Sequence, residues 1–171
     1  MLPSLRTARL TLRPRVMADL EACLAMDTDP DVARFIPGPW ADPDRHRAFV
    51  AARIAAWYPP GMGYWSIEAT RQPGVFLGWI LLMPVDTHGP EIEIGWRLIR
   101  AARGQGYATE AAAAVLRHAF GTIDFDEVIA EIHPDNLASL GVARKLGLSP
   151  AGPALRRAIR RMAPCRCGVM Y

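Results

Sequence analysis

The periodicity of this chain switches from 2 to 3.6 across a short glycine turn, and few architectures accommodate that switch. From Glu91 to Ile99 the residues alternate, with Ile92, Ile94, Trp96 and Leu98 on one face and Glu91, Glu93, Gly95 and Arg97 on the other, which predicts a half-buried strand. From Ala108 onward Ala111, Ala112, Val115, Leu116, Ala119 and Phe120 keep an i, i+3, i+4, i+7 stripe, which predicts an amphipathic helix stopped by Gly121. Between them lies Arg103-Gly104-Gln105-Gly106-Tyr107-Ala108-Thr109-Glu110. A glycine turn feeding a helix start is a ready anion site: the first-turn N–H groups have no helical partner, the helix dipole adds positive potential, and glycine allows close approach to the main chain. The ligand that fits carries a phosphate or pyrophosphate.

Two common phosphate motifs fail here. A Walker loop needs Gly-Lys-Ser/Thr, and Gly106 is followed by Tyr107. The dinucleotide fingerprint needs a small third residue where Thr109 stands, and no βαβ unit opens the chain. Arg103-x-x-Gly106-x-Ala108 instead resembles the acyl-CoA pyrophosphate loop of the GNAT acetyltransferases. Thr7-Ala8-Arg9-Leu10-Thr11-Leu12-Arg13-Pro14 resembles the opening strand of the RimJ/RimL-like branch, and Asp29 to Ile36 the segment after its first helix. Glu93-Ile94-Gly95-Trp96 resembles the strand before the CoA loop. Asn136-Leu137-Ala138-Ser139, followed by Lys145-Leu146-Gly147-Leu148, resembles the segment that closes over the pantetheine arm. The resemblance covers roughly residues 5 to 150 and fades over the last twenty.

The resemblance implies an α/β fold with a mixed sheet, the GNAT acyl-CoA N-acyltransferase fold, in a single domain over residues 1–171. It implies acetyl-CoA as cosubstrate, held by Leu98, Ile99, Arg103, Gly104, Gln105, Gly106, Tyr107, Ala108, Thr109, Asn136 and Ser139. The patterns themselves predict strand 7–13, helix 18–26, a helical stretch 43–57, and strands 64–69 and 75–83 joined by a turn at Gln72-Pro73-Gly74. Strand 91–99, helix 107–119, strand 127–133 and helix 137–146 follow. Hairpin-linked strands first and a strand–helix–strand–helix unit later favour a mixed sheet.

Composition narrows the remaining classes. A chain of 171 residues builds one full core without disulfides or a structural metal. No apolar run approaches the ~20 residues that span a membrane, and no basic-then-apolar leader opens the chain. Cys23, Cys165 and Cys167 are too few and too scattered for a disulfide framework, and Cys165-x-Cys167 lacks a second ligand pair for zinc. A cytoplasmic protein, monomeric or homodimeric, without metal, membrane or nucleic-acid partner is expected. The net charge is only +3, yet nineteen of the 20 basic residues are arginine, a bias that a GC-rich bacterial genome explains. Five arginines crowd the tail, Arg156, Arg157, Arg160, Arg161 and Arg166, and read as a solvated basic face.

Acetyl transfer from a thioester to an amine needs a base for the ammonium, donors for the carbonyl oxygen, help for the leaving thiolate and alignment of two substrates. Glu93, on the polar face of the strand beside the thioester implied by the resemblance, is the candidate base, with Glu91 and Glu68 in reserve. Many GNAT enzymes carry a tyrosine seven residues after the equivalent of Asn136, and here that position is Ala143. The resemblance to the RimJ/RimL-like branch gives its place to Ser139, whose hydroxyl suits a hydrogen bond to the thiolate better than full protonation. Asn136 reads both as a helix N-cap and as a pantetheine contact. Pro37-Gly38-Pro39-Trp40 and Tyr58 to Gly63 are aromatic loops that either wall the acceptor site or pack over the sheet edge. The acceptor is a primary amine, on a protein N-terminus or a small molecule; a non-catalytic acyl-CoA-binding module is the rival from another class.

Overall fold

In a computed structural model, which describes residues 1–85, 89–151 and 156–160, eight strands form one mixed sheet in the order β1-β2-β3-β4-β5-β6-β8-β7. The strands are β1 (Leu5–Arg6), β2 (Leu10–Pro14), β3 (Gly63–Ala69), β4 (Gln72–Pro84), β5 (Ile92–Leu98), β6 (Glu127–Glu131), β7 (Ser149–Pro150) and β8 (Arg156–Arg160). The helices are α1 (Leu20–Asp27), α2 (Pro30–Ala33), α3 (Pro43–Ala55), α4 (Tyr107–His118) and α5 (Leu137–Leu146). Neighbouring strands run antiparallel except β5 and β6, which are parallel. The mixed α/β fold expected from the sequence is the fold observed.

The strand alternation divides the work of the two sheet faces. Leu10 and Leu12 of β2, Trp65 and Ile67 of β3, Ile80 and Leu82 of β4 and Ile94 of β5 are almost fully buried. They share one core with the α4 stripe of Ala111, Ala112, Val115 and Ala119. The opposite face carries Arg13, Ser66, Trp79 and Arg97, aligned in one row by the strand registers. It meets α1 and α3 through buried polar groups. Arg13 donates to both Asp19 oxygens (2.6 and 2.8 Å) and to Glu68 Oε1 (2.7 Å), and Ser66 Oγ donates to Asp19 Oδ2 at 2.8 Å. Asp27 accepts from Arg97 and lies 3.2 Å from His46 Nε2.

Three local expectations need correction. The strand expected over 7–13 is broken: Thr7 N donates to Leu10 O at 3.0 Å and Leu10 N to Thr7 Oγ1 at 2.8 Å, so a tight turn separates β1 from β2. Gln72-Pro73-Gly74 is not the hairpin turn. Ala69 pairs with Gln72, which leaves Thr70 and Arg71 as the turn, and the extra length of β4 is absorbed by register shifts around Glu68. Gly121 does not end the α4 segment either. The chain continues as a wider π turn over Ala119–Ile123, and Asp124, at φ +73°, takes the left-handed position that terminates it. Asp tolerates that conformation better than most residues with a Cβ. Cys165, Cys167, Arg161 and Arg166 lie outside the described residues.

Candidate active site

Gly106 is the N-cap of α4 with φ +79°, and Gly104 has φ +74°, so two left-handed residues bend the main chain across the helix start. Residues with a Cβ pay roughly 1–2 kcal/mol for that conformation, which is why glycines stand at these two positions. The first bond of the helix runs from Glu110 N to the Gly106 carbonyl at 3.0 Å, leaving the Tyr107, Ala108 and Thr109 N–H groups to the ligand side of the first turn. A Cβ built on Gly104 meets nothing within 4 Å, so the space over the loop is open. These features fit a pyrophosphate.

The loop is braced from behind by residues that sequence reasoning missed. Glu110 accepts from Thr7 Oγ1 (2.6 Å), Arg9 N (3.0 Å) and Arg9 Nε (2.6 Å), while Arg9 Nη1 donates to the Gln105 carbonyl at 3.0 Å. These partners lower the Glu110 carboxyl below its ordinary range even against burial. The turn before β2 thus anchors the first turn of α4. The side chains of Arg103 and Gln105 fold onto the strand end, Arg103 Nε donating to Leu98 O at 3.3 Å and Gln105 Nε2 to Ala101 O at 2.8 Å. Leu98 is buried, and Ile99 donates its N–H to Leu77 O at 3.0 Å and accepts from Ala102 N at 3.0 Å. Leu98 and Ile99 therefore shape the floor before the loop and have these main-chain groups engaged within the fold. Gly106→Ala is expected to weaken CoA binding about ten-fold or more, because relief of the left-handed strain reshapes the loop; the new methyl itself meets only Arg9 Nη2, at a contact distance of 3.4 Å. Isothermal titration with CoA, with a thermal melt as the control for folding, measures it.

β5 and β6 share a single register pair, Glu93 with Ile129. Beyond it they diverge around a cleft of about 470 Å³. Glu93, Gly95 and Arg97 reach this cleft from one face of β5, and Ile94 and Trp96 from the other, so it passes through the sheet at the gap. Asn136 and Ser139, from the start of α5, line it as well. Asn136 Oδ1 accepts from Ser139 N at 3.1 Å, the N-cap bond read from the sequence. Gly147, at φ +84°, closes the other end of α5. The β4–β5 register runs without a shift across Gly95.

Glu93, Asn136 and Ser139, far apart in sequence, therefore share one cleft, whereas the two reserve carboxylates do not. Glu68 is tied to Arg13 in the buried network beside α1, and Glu91 forms an ion pair with Arg156 on the exposed edge. Burial raises the Glu93 carboxyl above the ordinary glutamate range, Glu131 adds to the rise, and Arg53 opposes it. Ala143 is 1% exposed and packed in the core, so its methyl does not face the cleft. Of the two aromatic loops, the one with Pro37 and Trp40 lines the cleft, and the Tyr58 loop lines an adjoining hollow that shares Arg15, Arg53 and Tyr64 with it.

A profile described as an acetyltransferase (GNAT) domain matches residues 9–149. The chain belongs to the GNAT acetyltransferase family. FsC-acetyl coenzyme A-N(2)-transacetylase of Aspergillus fumigatus is 33% identical over 156 residues, 86% of this chain and 65% of that protein, so the chain spans somewhat under two thirds of the fungal relative. Among solved structures, an acetyltransferase from Agrobacterium tumefaciens superposes with a TM-score of 0.76 at 31% identity, covering 95% of this chain and 96% of the other. A GNAT-family acetyltransferase from Bacillus anthracis shares the fold with a TM-score of 0.77 at 24% identity, covering 92% and 98%. In this GNAT chain the start of α5 lines the same cleft as β5, and the glycine loop follows that strand. None of the described helices is long and apolar enough to cross a membrane.

Proposed function

We propose that this chain is an acetyl-CoA-dependent N-acetyltransferase acting on a primary amine by direct attack in a ternary complex. The observation that carries the reading is the meeting of Glu93, Asn136 and Ser139 in the gap between β5 and β6, with the glycine loop at the end of the same β5. When bound, acetyl-CoA supplies an acetyl thioester whose C–S bond breaks as the C–N bond to the amine forms. The loop N–H groups hold the pyrophosphate. Asn136, with Oδ1 engaged in its cap, keeps its amide N–H groups for the pantetheine arm. Glu93 takes the ammonium proton, directly or through one water, and its raised pKa makes it a stronger base than an ordinary carboxylate. The Ser139 hydroxyl donates to the departing sulfur, and the thiolate then takes its proton from water.

The motifs at Thr7–Pro14 and Asn136–Ser139 support the RimJ/RimL-like branch within the family, and with it a protein N-terminal amine as acceptor. The cleft itself favours a small amine. Phe35, after α2, stacks on His133, after β6, with ring centres 5.3 Å apart, so loops from both sides meet over the cleft. The proposal takes residues 1–171 as one cytoplasmic domain, alone or as a homodimer.

Free-thiol release from acetyl-CoA against small amines and N-terminal peptides tests the reading. Turnover with any of them excludes a non-catalytic binding module; tight CoA binding with no turnover establishes it. Ser139→Ala is expected to lower kcat roughly ten- to a hundred-fold, the worth of a hydrogen bond to a developing charge. A loss below about two-fold would remove Ser139 from the chemistry.

A further inference from the structure

The cleft holds an arginine that has no carboxylate partner among the described residues. Arg15 lies one residue past β2, its backbone N–H donating to Tyr64 O at 2.9 Å, and its guanidinium carbon sits 3.7 Å from the Tyr64 ring centre and 6.0 Å from that of Trp79. Its Nε and Nη2 are buried without a conventional hydrogen bond, and the Cys23 thiol is the polar side chain beside the guanidinium. Two residues earlier, Arg13 shows the ordinary arrangement, paired with Asp19 and Glu68. No ion pair among the described residues includes Arg15. Arg97 approaches the same indole, 5.0 Å from the Trp79 centre; its Nη1 is paired with Asp27, but its buried Nε has no acceptor.

Three guanidinium nitrogens without a conventional hydrogen-bond partner therefore gather around Trp79. Arginine cannot discharge by losing a proton, and a buried donor without an acceptor is costly. A rigid N–H fork held on aromatic faces is suited to a carboxylate. The rest of the cleft limits the charge of its ligand. Its guanidinium groups are Arg15, Arg53 and Arg97, and its carboxylates are Asp27, Glu93 and Glu131. With Asp27 paired to Arg97, the acids left at the β5–β6 end are Glu93 and Glu131. Arg97 lies four residues along β5 from Glu93, roughly 13 Å at strand spacing, so the Trp79 end and the Glu93 end of the cleft are separated, with Arg53 acting on Glu93 from within it.

We propose that the acceptor is a zwitterion of the amino-acid type, its carboxylate anchored on Arg15 with Arg97 behind it and its ammonium directed to Glu93 and Glu131. The inference rests on the acetyl-transfer reading for the role of the ammonium end. A polyamine leaves the orphan donors unmet and sets cations against Arg15, and a peptide N-terminus brings no carboxylate close to its amine.

The test pairs acids with their carboxamides at three spacings: alanine, 4-aminobutyrate and 6-aminohexanoate. Each is assayed by thiol release and, independently of turnover, by quenching of the tryptophan fluorescence of the CoA-loaded protein. For at least one spacing the acid is expected to exceed its amide about ten- to a hundred-fold in kcat/KM or affinity, as for a charged hydrogen bond. Arg15→Gln should bring the acid-to-amide ratio within about two-fold of one, and Arg15→Lys should keep part of it; thermal melts check that both variants fold. Equal use of acid and amide by the parent at every spacing overturns the anchor while leaving acetyl transfer standing, as does a preference that survives Arg15→Gln. Arg15-dependent binding of an acid without thiol release from any amine upholds the anchor and overturns the transferase reading. Neither binding nor turnover of any acid overturns the anchor.

Discussion

Glu93→Gln is expected to lower kcat by roughly 10²–10⁴-fold, the usual worth of a positioned general base, and at the same time to raise the melting temperature at neutral pH. Both effects come from one cause. Burial, reinforced by Glu131, raises the Glu93 carboxyl above its ordinary value of 4.5. A carboxyl whose folded pKa is raised favours the native state fully below its unfolded pKa. That contribution is lost as the pH rises through the folded pKa. At neutral pH the ionised side chain is therefore a net cost to folding, which glutamine removes. The stability gain should shrink as the pH falls toward the ordinary glutamate range, where both states are protonated in the parent. Melts from pH 4 to 8 beside steady-state rates would show the two trends. Near-parental turnover around neutrality would leave proton removal to Glu131, His133 or water, since Glu91 and Glu68 are engaged outside the cleft.

Asp27→Ala is expected to destabilise the fold by about 3–5 kcal/mol, the usual cost of removing one partner of a buried ion pair, or on the order of 10 °C in Tm for a chain of this size. Asp27 is 4% exposed and joins His46 of α3 to Arg97 of β5. Without it the Arg97 guanidinium is left buried among Trp40 and Trp79 with no carboxylate partner. Asp27→Asn keeps an acceptor oxygen and should lose less. Denaturant unfolding of the two variants separates charge from hydrogen bonding. A loss under about 1 kcal/mol for Asp27→Ala would mean that water reaches Arg97 freely.

The helix α4 stripe, the β5 alternation and the glycine loop were legible because each is a local pattern. A 3.6-residue period, a two-residue period and a left-handed turn are set by neighbours in sequence. The Asn136 cap was legible for the same reason. Errors arose where a short-range signal competed with pairing at a distance. Gln72-Pro73-Gly74 carries turn residues, yet the register of β3 with β4 places the turn at Thr70 and Arg71. Gly121 is a helix stopper, yet Asp124 ends the segment.

By itself, then, the sequence determined the mixed α/β architecture and the glycine turn that feeds α4, since local periodicity encodes them, while the candidacy of Glu93, Asn136 and Ser139 came from the resemblance to the GNAT acetyltransferases. Only the tertiary structure decided which carboxylate faces the cleft, because Glu68, Glu91 and Glu93 all read as polar-face strand residues until their arginine partners are known. It alone brought Arg15 from the end of β2, Asp27 from α1 and Arg97 from β5 around one site. Strand register and helix packing over the sheet bring such distant residues together, and no spacing along the chain records that.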